Sequence, residues 1–100
     1  MAKKIIWSLR AVNDRKEILS YWKVRNQSKN YIIKLNLLFK KAIKSIAIHP
    51  HIGRKTDVEK IRIKLIKDYL IVYEETADAI EILTIWDNRR NPDDLEKVIT

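Results

Sequence analysis

The stretch IRIKLIKDYLIVYEETADAIEILTIW, residues 61–86, decides the fold. Its hydrophobic period starts at two: Ile61, Ile63 and Leu65 alternate with Arg62 and Lys64, the pattern of a strand with one wet face. Residues 69–75 (YLIVYEE) place apolar side chains on consecutive positions, as a strand covered on both faces does. Glu75-Thr76-Ala77-Asp78 reads as a turn, and residues 79–86 (AIEILTIW) as the last strand. Three strands with such short joints make an antiparallel meander.

Upstream of this stretch the period changes. Gly53 is the only glycine and Pro50 and Pro92 are the only prolines, so the strong breakers divide the chain instead of scattering over it. Between residues 29 and 48, Tyr31, Ile32, Leu35, Leu38, Phe39, Ala42, Ile43 and Ile46 form one stripe at helical spacing. His49-Pro50 ends that helix, because the residue before proline is pushed out of the helical region. Residues 10–25 predict an earlier helix with Ala11, Ile18 and Trp22 on one face and Val12 and Leu19 beside them. The break falls at Asn26–Ser28, with Ser28 as N-cap of the second helix. Two helices so closely joined pack as an antiparallel hairpin. Residues 3–9 (KKIIWSL) read as an opening strand. Asn91-Pro92-Asp93-Asp94 has the cap, the proline and the acids of a helix start, which predicts a short C-terminal helix over Asp93–Ile99. The expected fold is α+β, in the order β-α-α-β-β-β: an antiparallel meander packed against the helical hairpin, as one domain over residues 1–100.

Composition narrows the function. There is no cysteine, hence no disulfide framework and no thiolate metal site. No apolar run approaches the ~20 residues of a membrane span, and the start of the chain, MAKKIIW, lacks a secretory signal, so a cytoplasmic protein is expected. The formal charge is +8. Residues 1–60 hold fifteen Lys/Arg against four Asp/Glu (+11), and residues 61–100 six against nine (−3). The positive field belongs to the helical half, and it favours an anionic partner.

Three sets of residues carry candidate chemistry. Arg62 and Lys64 share a strand face, Arg54-Lys55 precede them and Arg89-Arg90 follow the last strand. If strands 61–66 and 79–86 are near neighbours, these cations converge on one concave surface suited to phosphate contact; otherwise they form a solvated strand face. Trp86, next to these arginines, is placed to stack a base or to fill a core edge. His49 and His51 flank Pro50, but no third ligand has metal spacing, so no metal and no cofactor are expected. On the second helix Ile33 and Leu37 lie opposite the main stripe, among Lys34, Lys40, Lys41 and Lys44, and Tyr21 and Val24 are similarly off-face on the first helix. Apolar residues in a basic field suit an acidic amphipathic partner helix.

These motifs resemble RelE/ParE toxins. The opening I-x-W-S-x-x-A with D-x-x-x-I-x-x-Y-W (Ile5, Trp7, Ser8, Ala11; Asp14, Ile18, Tyr21, Trp22) is similar to that family. So are H-P-x-x-G-R (His49, Pro50, Gly53, Arg54), the run from Ile61 to Tyr73, and the ending I-L-T-I-W-D-N-R-R-N-P. The resemblance implies the toxin of a type II toxin–antitoxin pair with the β-α-α-β-β-β fold. It implies a small antitoxin that meets the lysine-rich helices through an acidic segment, with operator DNA reached only through that antitoxin. Members split by target: RelE-like toxins cut mRNA on the ribosome, whereas ParE-like toxins inhibit DNA gyrase.

The basic pair of RelE-like enzymes matches Arg62 and Lys64, and their post-strand arginine matches Arg89. Their next arginine falls on Leu70, and no tyrosine remains after Tyr73 to match their C-terminal one. The YLIVY strand and the RRNP ending are more ParE-like, where histidine often stands at the position of Trp86. The resemblance therefore favours a gyrase inhibitor, with Arg54, Lys55, Arg62, Lys64, Trp86, Arg89 and Arg90 facing the target and Tyr21, Val24, Ile33, Leu37, Lys34, Lys41 and Lys44 facing the antitoxin. The alternatives are a ribosome-dependent endoribonuclease using Arg62, Lys64 and Arg89, and a non-toxic basic nucleic-acid-binding module.

Overall fold

The computed structural model describes residues 2–26 and 29–99. Strand β1 (Lys4–Trp7) leads into helix α1 (Leu9–Asn26) and helix α2 (Lys29–Ile48). A 3-10 turn (Pro50–Ile52) and a two-residue strand β2 (Arg54–Lys55) follow, then β3 (Ile61–Ile66), β4 (Tyr69–Glu75), β5 (Ala79–Asp87) and helix α3 (Pro92–Ile99). The five strands form one sheet in the order β1-β5-β4-β3-β2. The meander β3-β4-β5 is antiparallel, as expected. The opening strand joins it parallel to β5, with Lys4 opposite Ala79 and Trp7 opposite Ile82.

The opening strand is shorter than residues 3–9 because the chain turns into the helix at Ser8, whose backbone N–H makes the last bond to β5, at the Ile82 carbonyl (3.0 Å). Its Oγ accepts from the Ala11 N–H (3.0 Å), capping α1, and donates to the Leu83 carbonyl (2.8 Å). Leu83 is the extra residue where the β4–β5 register slips between Val72 and Tyr73. Beside it the Asp14 carboxylate of α1 accepts from the Thr84 hydroxyl and from the Ile85 N–H (3.3 Å), so α1 is tied to β5 at the bulge. The hairpin is antiparallel: Arg15 donates twice to Asn36 Oδ1 (3.0 and 2.6 Å), and the Trp22 and Tyr31 rings meet edge-on at 5.0 Å. The expected N-cap Ser28 lies outside the described residues.

The sheet is covered on both faces, by the hairpin on one and by α3 on the other. Leu35, Phe39, Ala42, Ile43 and Ile46 of α2 and Ala11 of α1 pack on Tyr69, Ile71, Tyr73, Ile80, Ile82 and Ile85. The opposite face buries Ile61, Leu70, Val72 and Trp86 under Leu95 of α3. The alternation in β3 is therefore real but points away from the hairpin: Ile61 and Ile63 face α3. Leu65, expected beside them, is 56% exposed, since α3 does not reach that end of the strand.

Gly53 and Tyr73 form the tightest local fit. The buried Tyr73 hydroxyl donates to the Pro50 carbonyl (2.7 Å) and accepts from the Gly53 N–H (2.9 Å). Gly53 has an ordinary extended backbone (φ −77°, ψ 156°), so it is needed for space and not for conformation. A Cβ there would overlap the Tyr73 hydroxyl and stand 2.8 Å from its Cε1.

Gly53→Ala and Tyr73→Phe should each destabilise the fold by about 1–3 kcal/mol in urea denaturation, the second by leaving a buried N–H and a carbonyl unpaired. Because removing the hydroxyl relieves the closest of the methyl's overlaps, though not the one with Cε1, the double variant should cost less than the sum of the two. Burial pushes the Tyr69 and Tyr73 hydroxyls above their ordinary value of 10.0. The neutral phenols are thus favoured in the folded state, and the unfolded chain ionises first. Stability should hold up to about pH 10 and fall above it, less steeply in Tyr73→Phe, as read from urea midpoints against pH.

Candidate functional site

The structure separates the cations expected to converge. Strand β4 lies between β3 and β5, so Arg62 stands opposite Tyr73 and Lys64 opposite Ile71, while Asp87, just before Arg89-Arg90, stands opposite Tyr69. Three local groups result. Arg54 and Lys64 share an open hollow of about 440 Å³ with Ile52, Leu65 and Asn88. Lys55 and Arg62 line a second hollow of about 260 Å³ with Lys60. Arg89 and Arg90 line a groove of about 350 Å³ between the sheet and α1, facing Asp14, Glu17 and Tyr21. Of the two hollows that hold the β2 and β3 cations, the first extends to the segment after β5, through Asn88.

Several of these cations already have partners. Arg89 makes a two-pronged contact with Asp87, Nε to Oδ1 at 2.9 Å and Nη2 to Oδ2 at 2.8 Å. That contact holds the Asp87 carboxyl below its ordinary range and pushes the Arg89 guanidinium further up. Arg90 lies over the Trp86 ring, 4.1 Å from its centroid. Trp86 itself is 2% exposed, so its indole is a core side chain roofed by Arg90 and presents no face to a target. The core-edge reading of Trp86 holds, and its place in the target-facing set does not. The reason is that α3 and Arg90 close over the end of β5.

Arg62 is tied to the turn before β2. Its Nη1 donates to the Gly53 carbonyl (2.9 Å), and its Nη2 contacts His51 Nδ1 at 2.9 Å. The other ring nitrogen of His51 stands 3.3 Å from Glu75 Oε1. Lys3 Nζ closes the chain at 2.9 Å from Glu75 Oε2 and also donates to the Thr76 carbonyl at 2.7 Å. The Lys3 hydrogen bond, first among several causes, holds the Glu75 carboxyl below the usual carboxylate range. Lys3, His51 and Glu75 were not readable as one cluster, because they lie far apart in the chain and no local motif marks them. Among the described residues, no group of three His, Asp or Glu could hold a metal ion.

The helical set also divides. Ile33 (57% exposed) and Leu37 (52%) stand on the outer face of α2 with Lys34, Lys41 and Lys44, all exposed. Tyr21 turns instead into the groove beside Arg89, at helical spacing from Asp14 and Glu17, and exposed Val24 follows on the same side of α1. The seven residues are thus two surfaces and not one. No helix among the described residues is long and apolar enough to cross a membrane.

Leu70, at the position of a RelE-type arginine, is buried under α3. No curated protein sequence matches this chain. A solved structure described as the chromosomal ParDE toxin–antitoxin system from P. aeruginosa has the same fold, with a TM-score of 0.73 at 17% identity, over 86% of this chain and 96% of that one. Residues 5–92 match the family model described as the ParE toxin of the type II toxin–antitoxin system parDE. The match spans the hairpin α1–α2, the sheet from Ile5 of β1 onward and the segment up to Pro92, and the chain belongs to the ParE toxin family.

Proposed function

We propose that this type II toxin arrests growth by binding DNA gyrase, in the cytoplasm, and that a cognate antitoxin neutralises it by laying an acidic segment on α2. The observation that carries the gyrase reading is the state of the RelE-type positions within a ParE family chain. RNA cleavage of the RelE kind needs cations gathered on the scissile phosphate and groups that move protons. Here Leu70 is buried and apolar, Arg62 is held by a turn carbonyl and a histidine, and Arg89 is held by Asp87. These favour a toxin that acts by binding over one that cuts. The cations proposed to face the target are Arg54, Lys55, Lys64 and Arg90 at the rims of the hollows, with Arg62 and Arg89 available if they exchange their present partners.

The antitoxin surface is proposed from charge and shape. Helix α2 carries no acidic residue, and its outer face alternates Ile33 and Leu37 with Lys34, Lys41 and Lys44. An acidic amphipathic helix matches both the apolar ridge and the field around it.

Purified toxin at micromolar concentration should inhibit supercoiling by gyrase and leave message intact in a translating extract. Unchanged supercoiling with codon-linked cuts in mRNA would transfer the assignment to the ribonuclease class. Harmless expression without antitoxin would point to a plain nucleic-acid-binding module. Leu37→Asp should weaken antitoxin binding by roughly tenfold or more, the range expected for losing an interfacial anchor. Because Leu37 is exposed, the melting temperature should not move. Unaltered affinity in calorimetric titration would remove α2 from the interface.

A further inference from the structure

The chain Lys3–Glu75–His51–Arg62 surrounds a hollow of about 430 Å³ that Lys60 and Thr76 also line. Arginine can only donate, so His51 Nδ1 accepts from Arg62 Nη2, and the proton of the neutral ring sits on Nε2, facing Glu75. The ring is therefore a neutral spacer between a guanidinium and a carboxylate. It is also 72% exposed, so proton exchange with water is unhindered.

We infer that this hollow is an oxyanion site with Arg62 as its principal ligand, shut by neutral His51 and opened by its protonation. A proton arriving on Nδ1 removes the acceptor that holds Arg62 Nη2 and sets an N–H against another N–H. The ring keeps its contact with Glu75, which becomes a pair of opposite charges, while Arg62 is released on the Nη2 side and keeps the Gly53 carbonyl through Nη1. An oxyanion can then bridge the freed guanidinium edge and the new Nδ1–H. The charged groups facing His51 are Arg62 from β3, Glu75 from β4, Lys3 behind Glu75, and Lys60 from the turn before β3. Glu75 remains ionised through the change, since Lys3 holds its carboxyl low. The hollow then carries three cations and a protonated imidazole against one carboxylate.

The site refines the reading of Arg62 as target-facing, but it is tested without gyrase, so the two fail separately. Full-length 15N-labelled protein is titrated with sulfate, a dianion throughout the imidazole range, at about pH 5.5 and about pH 8, following the Arg62 Nε–Hε signal. Sulfate should bind at Arg62 roughly five- to tenfold more tightly at the lower pH, the size expected when a charge-assisted hydrogen bond becomes available. His51→Gln, neutral at both values and still able to accept from Arg62, should bind weakly at both. His51→Ala, with nothing holding Nη2 but no Nδ1–H to offer, should bind with the same affinity at both values and more tightly than His51→Gln. A parallel titration with a dinucleotide phosphodiester distinguishes a nucleic-acid backbone, if it binds more tightly than sulfate, from a free anion, if it does not. Equal sulfate affinity at the two pH values in the native chain, or an unchanged pH dependence in His51→Gln, overturns the site.

Discussion

Everything in this fold follows from the burial of β4 on both sides. Tyr69, Leu70, Ile71, Val72 and Tyr73 are all buried, so neither face of the strand can be left to water. Consecutive apolar residues on a central strand need two covers, and the chain supplies them at different sizes. The hairpin α1–α2 takes Tyr69, Ile71 and Tyr73, while α3, only eight residues long, takes Leu70 and Val72 together with Ile61 and Trp86. The same strand holds β3 and β5 apart, and this separation distributes the basic side chains of the sheet over three places.

Polar ties then decide where the covers sit. The Asp14 carboxylate meets the bulge of β5, the Trp22 indole N–H donates to the Tyr69 hydroxyl at 2.6 Å, and the Tyr73 hydroxyl meets the turn at Pro50–Gly53. Each joins a helix or turn to a central strand from a residue buried or nearly so. A buried donor or acceptor left without its partner costs more than the bond yields when made. These contacts therefore act less as glue than as selectors of one register among the many that an apolar interface would allow.

The elements were legible in the sequence wherever their period was long. Helix α2 was readable at residues 29–48, and β4 and β5 nearly to the residue, because each carries an uninterrupted pattern. What escaped was set by partners distant in the chain. Ser8 looks like part of a β-prone run and becomes a cap because Leu83 accepts its proton. The two-residue strand β2 exists only because β3 offers it an edge. The turn between β3 and β4 has no glycine signal, since Lys67 itself takes the left-handed conformation at φ 55°. For the site, the types of residue were readable but not their pairing. The meander already puts β4 between strands 61–66 and 79–86, but which partner each cation takes across that distance depends on turns and side chains far apart in the chain.

Charge behaves differently in the two halves for the same reason. In the sheet half, four cations meet local partners: Arg89 has Asp87, Lys3 has Glu75, Arg62 has a carbonyl and His51, and Arg90 has an aromatic face. An anion arriving at one of these four must displace an existing contact, so recognition there depends on local exchange and geometry. On α2 no acidic residue interrupts the helix, and Lys34, Lys40, Lys41 and Lys44 stand in solvent around an apolar ridge. Their field extends about 8–10 Å at physiological salt, far enough to orient an acidic partner before contact but not to hold it. Holding such a partner would fall to Ile33 and Leu37, because apolar burial is independent of salt to first order. A partner selected by charge and retained by apolar contact needs both on one helix face, and α2 is the element where the described structure puts them together.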